Sequence, residues 1–151
     1  MPFHHIVFGH FINNNGSLKL IKDLRLKYKE TDDNFKLIIA VHCLCSEDPE
    51  ILRLLVRSYA LSILRNQKAS ALKRPLPSLA EVQSVSFSEN EKETLNAIVK
   101  SSGTIIGNVA SVCAELKNLA NSYKADELLL VSHGLDLETR IATFDGIMKH
   151  W

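Results

Sequence analysis

Three apolar runs stand out along the chain, separated by longer stretches in which apolar residues recur every three or four positions. The first is His4-His5-Ile6-Val7-Phe8-Gly9-His10-Phe11, short and rich in β-branched and aromatic residues, which predicts a buried strand near residues 4–9. The second, from Phe35 to Cys45, is almost continuously apolar. That is the pattern of a strand buried on both faces of a parallel sheet, here near residues 36–45. The third, Leu128-Leu129-Leu130-Val131-Ser132, has the same character and predicts a doubly buried strand at 128–132.

The intervening stretches predict helices. After the turn residues Asn13-Asn14-Asn15-Gly16, Ser17 is placed to cap a helix whose Leu20, Ile21, Leu24 and Tyr28 share one face. Ser46 or Asp48 can cap a second helix, with Pro49 in its first turn and Leu52, Leu55, Val56, Tyr59 and Ile63 at helical spacing. Lys73-Arg74-Pro75-Leu76-Pro77 breaks the pattern, and residues 68–87 read as an irregular, mobile excursion. Ser88 and Glu91 have capping-box spacing ahead of a helix to about Lys100. A small-residue connection from Ser101 follows, and Asn108 can cap the next helix. There Val109, Val112, Cys113, Leu116, Leu119, Ala120 and Tyr123 form one stripe. Asp136 caps the last helix, with Ile141, Phe144, Ile147, Met148 and Trp151 along one side. Strands alternating with helices in this way predict an α/β fold with parallel strands joined by right-handed crossovers.

Composition narrows the function more than the fold. The 151 residues, 46% hydrophobic and 23% charged, make one globular domain the expectation. Eighteen basic against seventeen acidic residues give a net charge of +1, without the basic excess of a nucleic-acid binder. No apolar run approaches the ~20 residues of a membrane span. Met1 to Phe11 lack the charged and apolar regions of a secretory signal. Three cysteines without a CxxC pair, Cys43, Cys45 and Cys113, fit a reducing cytoplasm and small core side chains better than a disulfide framework or a zinc site.

Five segments, in order, resemble one family. Pro2-Phe3 through Gly9-His10-Phe11 is similar to an L-P-[FY]-x-F-[AS]-x-H-F strand, and Ile39-Ala40-Val41-His42 to Asp48 to an A-V-N-V-x-A-A-D-T segment. Gly107-Asn108 through Leu116 is similar to a G-S-P-E-x-V-x-x-x-L helix start. Ala125-Asp126-Glu127 with Leu128 to His133 is similar to an A-D-E-[LI]-M-V strand, and Asp136 to Arg140 to a D-H-x-x-R-L helix start. These motifs belong to the luciferase-like, flavin-dependent monooxygenases. The resemblance implies the C-terminal portion of a TIM (β/α)8 barrel, about three βα units, as a single partial domain over residues 1–151. It implies an oxidoreductase in which reduced FMN and oxygen oxidise a small organic substrate such as an aldehyde. The expected form is truncated or split, with self-association or pairing with an N-terminal part through open sheet edges. A non-catalytic remnant or assembly subunit that has lost the flavin site is the alternative. Much of the family's flavin phosphate grip lies in turns this chain does not contain, so tight FMN binding by the chain alone is not expected.

Barrel chemistry sits at the C-terminal ends of the strands. His10, His42 and His133 fall there or close by, which makes them candidates to line a flavin or substrate pocket. The plainer reading is favoured for each, most of all for His42: a polar residue that finishes a strand and bonds a neighbouring loop. No two have i, i+4 ligand spacing, so no metal site is expected. Ser132-His133 with Asp136 lacks the G-x-S-x-G elbow of a hydrolase.

Overall fold

The computed structural model describes residues 5–10, 17–30, 34–68 and 76–151. In chain order the elements are β1 (His5–Gly9), α1 (Ser17–Lys29), β2 (Lys36–Cys45), α2 (Pro49–Lys68), α3 (Leu79–Ser84), α4 (Glu89–Ser101), β3 (Ile105–Gly107), α5 (Val109–Tyr123), β4 (Glu127–Val131) and α6 (Leu137–His150). The expected turn at Asn13–Gly16 and the break at Lys73–Pro75 lie outside the described residues.

All strand pairs are parallel. β2 is central: β1 pairs with its residues 36–40 and β4 with residues 38–42, so the two flank it on opposite edges. The three expected strands are therefore present, in that arrangement, within two residues of their expected bounds. A fourth strand, β3, pairs with the last three residues of β2, Cys43↔Ile105 to Cys45↔Gly107. It had read as a connection because three residues are too few to show a period. Two β-branched residues after a positive-φ turn at Gly103 (φ 65°) were its only trace.

One face of the sheet carries Ile6, Phe8, Leu37, Ile39, Val41, Cys43, Leu128 and Leu130, and α1, α5 and α6 cover it. The stripe read on α5 packs there, with Val109, Val112, Cys113, Leu116 and Tyr123 buried. α6 crosses α5 so closely that a Cβ on Gly146 would meet Val109 Cγ2 at 2.9 Å. Only Thr143 and Ile147 of α6 are buried, and the Thr143 hydroxyl donates to the Cys45 carbonyl at 3.0 Å. Ile141, Met148 and Trp151, read as part of one apolar side, are exposed instead, because α6 is held through the neighbouring face.

Successive strand residues point to opposite sides. The other face therefore carries Val7, Ile38, Ala40, His42, Leu44, Leu129 and Val131. Its C-terminal end is covered by α2, where Leu44 packs on Leu55 and Tyr59. Elsewhere its flanking strands are open, with Val7 53% and Leu129 51% exposed, while Ala40 between them on β2 is buried. The reading of β1 as buried and β4 as doubly buried is thus corrected to burial on one face.

Within 68–87, residues 69–75 lie outside the described residues. The irregular reading fails for α3, which has a complete capping box: the Glu81 N–H donates to Ser78 Oγ at 3.3 Å, and the Ser78 N–H to the Glu81 carboxylate at 2.8 Å. The Ser-x-x-Glu spacing was legible there, as at Ser88 and Glu91. Three of the other expected caps form. Asp48 accepts from the Glu50 N–H (2.8 Å), Asn108 from Ser111 (2.9 Å) and Asp136 from Thr139 (2.8 Å).

Asp126, between α5 and β4, locks the sheet to the helix layer. It accepts the Leu37 N–H at 2.8 Å and the Arg25 guanidinium at 2.9 Å, and its own N–H donates to the Leu37 carbonyl at 2.9 Å. Burial pushes its carboxyl pKa up, but those donors outweigh burial and hold it below the ordinary value. The Ala125-Asp126-Glu127 motif is thus structural in this chain.

Candidate functional site

The C-terminal end of the sheet gathers the polar side chains that have no evident structural task. Parallel pairing puts the ends of β1, β2 and β4 on one side of the molecule, and all three candidate histidines lie there. They do not form one group. His10 packs with the helix-covered face, its Nδ1 3.1 Å from the Tyr123 hydroxyl and its ring edge-on to that tyrosine at 5.7 Å. It borders an open depression of about 470 Å³ with Thr104, Glu115, Asn118 and Ser122. His42 and His133 meet on the opposite face, where His42 Nε2 hydrogen-bonds His133 Nδ1.

Position explains that meeting. His42 is the last β2 residue paired with β4, opposite Val131, and His133 lies two residues beyond Val131 on the same face. α2 closes over them: the Tyr59 ring stacks on His42 at 4.6 Å and stands 5.6 Å from His133. On the far side of His42, its Nδ1 is 3.3 Å from Thr104 Oγ1. Thr104 Oγ1 in turn lies 3.1 Å from the Tyr59 hydroxyl and 2.8 Å from Ser102 Oγ. Tyr59, Thr104 and Ser102 were not foreseen. Tyr59 reads as part of an apolar stripe, and Thr104 is 62 residues from His42, in a connection without periodicity.

Burial disfavours charge on both rings. Burial, then the neighbouring His133, pushes the His42 pKa down to about 4. Burial, then Arg140, lowers His133, and burial alone lowers His10. Two imidazoles bonded nitrogen to nitrogen share one hydrogen at that contact, so they act as one unit of donor and acceptor. The cysteines are inert by comparison. All three are buried, and burial pushes the Cys43 thiol to about 12 and Cys45 to about 11.

A flavin mononucleotide needs a planar apolar bed and a cradle for its phosphate. The open face around Leu129 and Val131, ending at His133, offers the first. The second would come from free N–H groups at a helix start. At the starts of α2, α5 and α6 some of those are taken by the chain's own carboxylates. Glu47 accepts the Val109 N–H at 3.0 Å at the start of α5, and Asp48 and Asp136 cap α2 and α6. A Cβ at Gly107 would collide with Ser111 Oγ, so that turn is already closely filled. Among the described residues the sheet face is an apolar surface, and the helix starts beside it are partly occupied by carboxylates.

No family model matches the chain, and no curated protein does. Solved structures do. The crystal structure of apo-MsnO8 superposes with a TM-score of 0.66 at 18% identity, covering 95% of this chain and 43% of that one. The monooxygenase RslO1 from Streptomyces bottropensis gives a TM-score of 0.56 at 14% identity, covering 97% of this chain and 42% of that one. The likeness is one of fold. This chain spans less than half the length of either protein. No helix among the described residues is long and apolar enough to cross a membrane.

Proposed function

We propose that the chain is the C-terminal portion of a luciferase-like, flavin-dependent monooxygenase barrel, in truncated or split form. Its place would be in the oxidation of a small organic substrate such as an aldehyde. The observation that carries the reading is the parallel β1–β2–β4 arrangement in a chain that superposes over 95% of its length on 43% of apo-MsnO8. RslO1, a monooxygenase, supports the reaction class. The three βα units would be the last three of eight, and the open sheet face would line the barrel. Reduced flavin would supply the reaction with oxygen. What these residues do toward it is to present an apolar wall with His133 at the strand ends and to keep water from His42 beneath Tyr59.

The reading expects the isolated chain to hold FMN poorly and to self-associate or pair with an N-terminal partner through the free edges of β1 and β4. Fluorescence titration with FMN, beside elution from a sizing column, tests both. Weak, non-stoichiometric binding by a species larger than a monomer is the expected result. Tight one-to-one binding by a monomer would overturn the assignment of the missing grip to other residues. A second reading, a non-catalytic remnant or assembly subunit, is favoured by the carboxylates that fill the helix starts at the site. The Glu47→Ala variant tests that filling: it removes the acceptor from the Val109 N–H, and a rise in FMN affinity counts against the remnant reading.

A further inference from the structure

The hydrogen bonds around His42 have a direction, fixed at their far end by a carbonyl. The Ser102 hydroxyl lies 2.8 Å from the Val99 carbonyl, which can only accept, so the single Ser102 hydrogen is committed there. The contact between Ser102 and Thr104 must then be donated by Thr104, whose one hydrogen is thereby used. Thr104 Oγ1 is left as an acceptor, toward the Tyr59 hydroxyl and toward His42 Nδ1. His42 therefore carries its hydrogen on Nδ1 and presents a bare Nε2. That nitrogen accepts from His133 Nδ1–H, and the second lone pair of the relay emerges at His133 Nε2. Among the described residues none hydrogen-bonds His133 Nε2, and His133 is only partly buried.

The geometry points to His133 Nε2 as the proton-accepting atom of the site, set in that state by Ser102, Thr104 and His42 acting as positioning residues. It would take a ligand with an O–H or N–H to donate and an apolar body to lie along Val131 and Leu129, which share its face. Protonation at Nε2 leaves the contact to His42 intact, because Nδ1 still donates. Protonation of His42 breaks it, so incoming protons add at His133. The groups facing the pair are the Tyr59 ring from α2, its hydroxyl against Thr104, and Arg140 from α6. The inference rests on the proposed function only for what the acceptor would serve.

Long-range ¹H–¹⁵N correlation spectra of the labelled chain above neutral pH read the tautomers directly, without flavin. The expected spectrum has both His42 and His133 protonated on Nδ1. A native His133 that carries its hydrogen on Nε2 overturns the inference without any variant. Thr104→Val removes the acceptor at the His42 end and is expected to flip both rings, while Thr104→Ser keeps the native tautomers. Unchanged tautomers in a folded Thr104→Val also overturn it. For the ligand class, phenol is the probe and toluene its control of like shape. Phenol is expected to move the His133 Nε2 resonance upfield while toluene does not. No shift with phenol, or the same shift with both, refutes the acceptor role. Tight one-to-one binding of FMN by a monomer would count against the proposed function and leave these spectra unaffected.

Discussion

The two faces of the sheet are made by the same strands and have opposite fates. On one, Ile39, Val41 and Cys43 are fully buried under α1, α5 and α6; on the other, one residue along, Val7 and Leu129 stand half in water. Both faces are written in apolar residues. Exposure here is decided by which helices exist to cover a face, not by which side chains occupy it. Only at the C-terminal end does α2 reach the second face, and there the only buried histidine of the described residues, His42, is found. The covered face is a core, and the open face is a surface with a polar terminus.

The sharpest way to break this comparison is by truncation in each face. Leu116→Ala, in the covered core at 0% exposure, is expected to cost about 2–5 kcal/mol in urea unfolding. Leu129→Ala should stay within about 0.5 kcal/mol. Equal losses would mean that the open face is covered in solution. The next effect is in pH. His42 binds a proton in the unfolded chain near 6.5 and in the folded one near 4, so the unfolded state holds more protons between those values. Stability should therefore fall as pH drops from about 6.5 to 4, by on the order of 3 kcal/mol, and be flat above that window. In His42→Gln most of the slope should vanish; a slope that persists would place the protons elsewhere. Gly146→Ala presses a methyl against Val109 and should cost about 1–3 kcal/mol, read as a lowered Tm. Asp126→Asn keeps the shape and loses the charge toward Arg25 and the Leu37 N–H. It should cost about 1–2 kcal/mol, and the loss should shrink as acid protonates the wild-type carboxyl.

What the sequence made legible follows from the same contrast. The β2 run Leu37 to Cys45 and the α5 stripe showed strong periods, and both lie where burial is complete. Caps at Asp48, Asn108 and Asp136 were legible because a cap is a local bond between neighbours. The exposure of Ile141, Met148 and Leu129 was not, since periodicity shows that a face is apolar and not whether another element arrives to meet it. In the site, the histidines announced themselves by standing at strand ends. Their partition, His10 to one face and His42 with His133 to the other, is set by alternation along strands and could be counted. The roles of Tyr59, Thr104 and Ser102 could not, because they depend on where α2 and the connection before β3 settle over β2.

The Asp126 carboxylate has a consequence for the order of events during synthesis. β2 acquires its first partner, β1, from residues made before it, but the clasp on its opening amide comes from a side chain 89 residues later, and the clasp on α1 from the same side chain 101 residues later. A chain leaving the ribosome thus carries the most apolar strand of the molecule with one edge unpaired until β4 is made. Such an edge is a template for other strands. Translation through residues 46–126 is then the interval in which that edge stands open, and the arrival of β4 is what closes it.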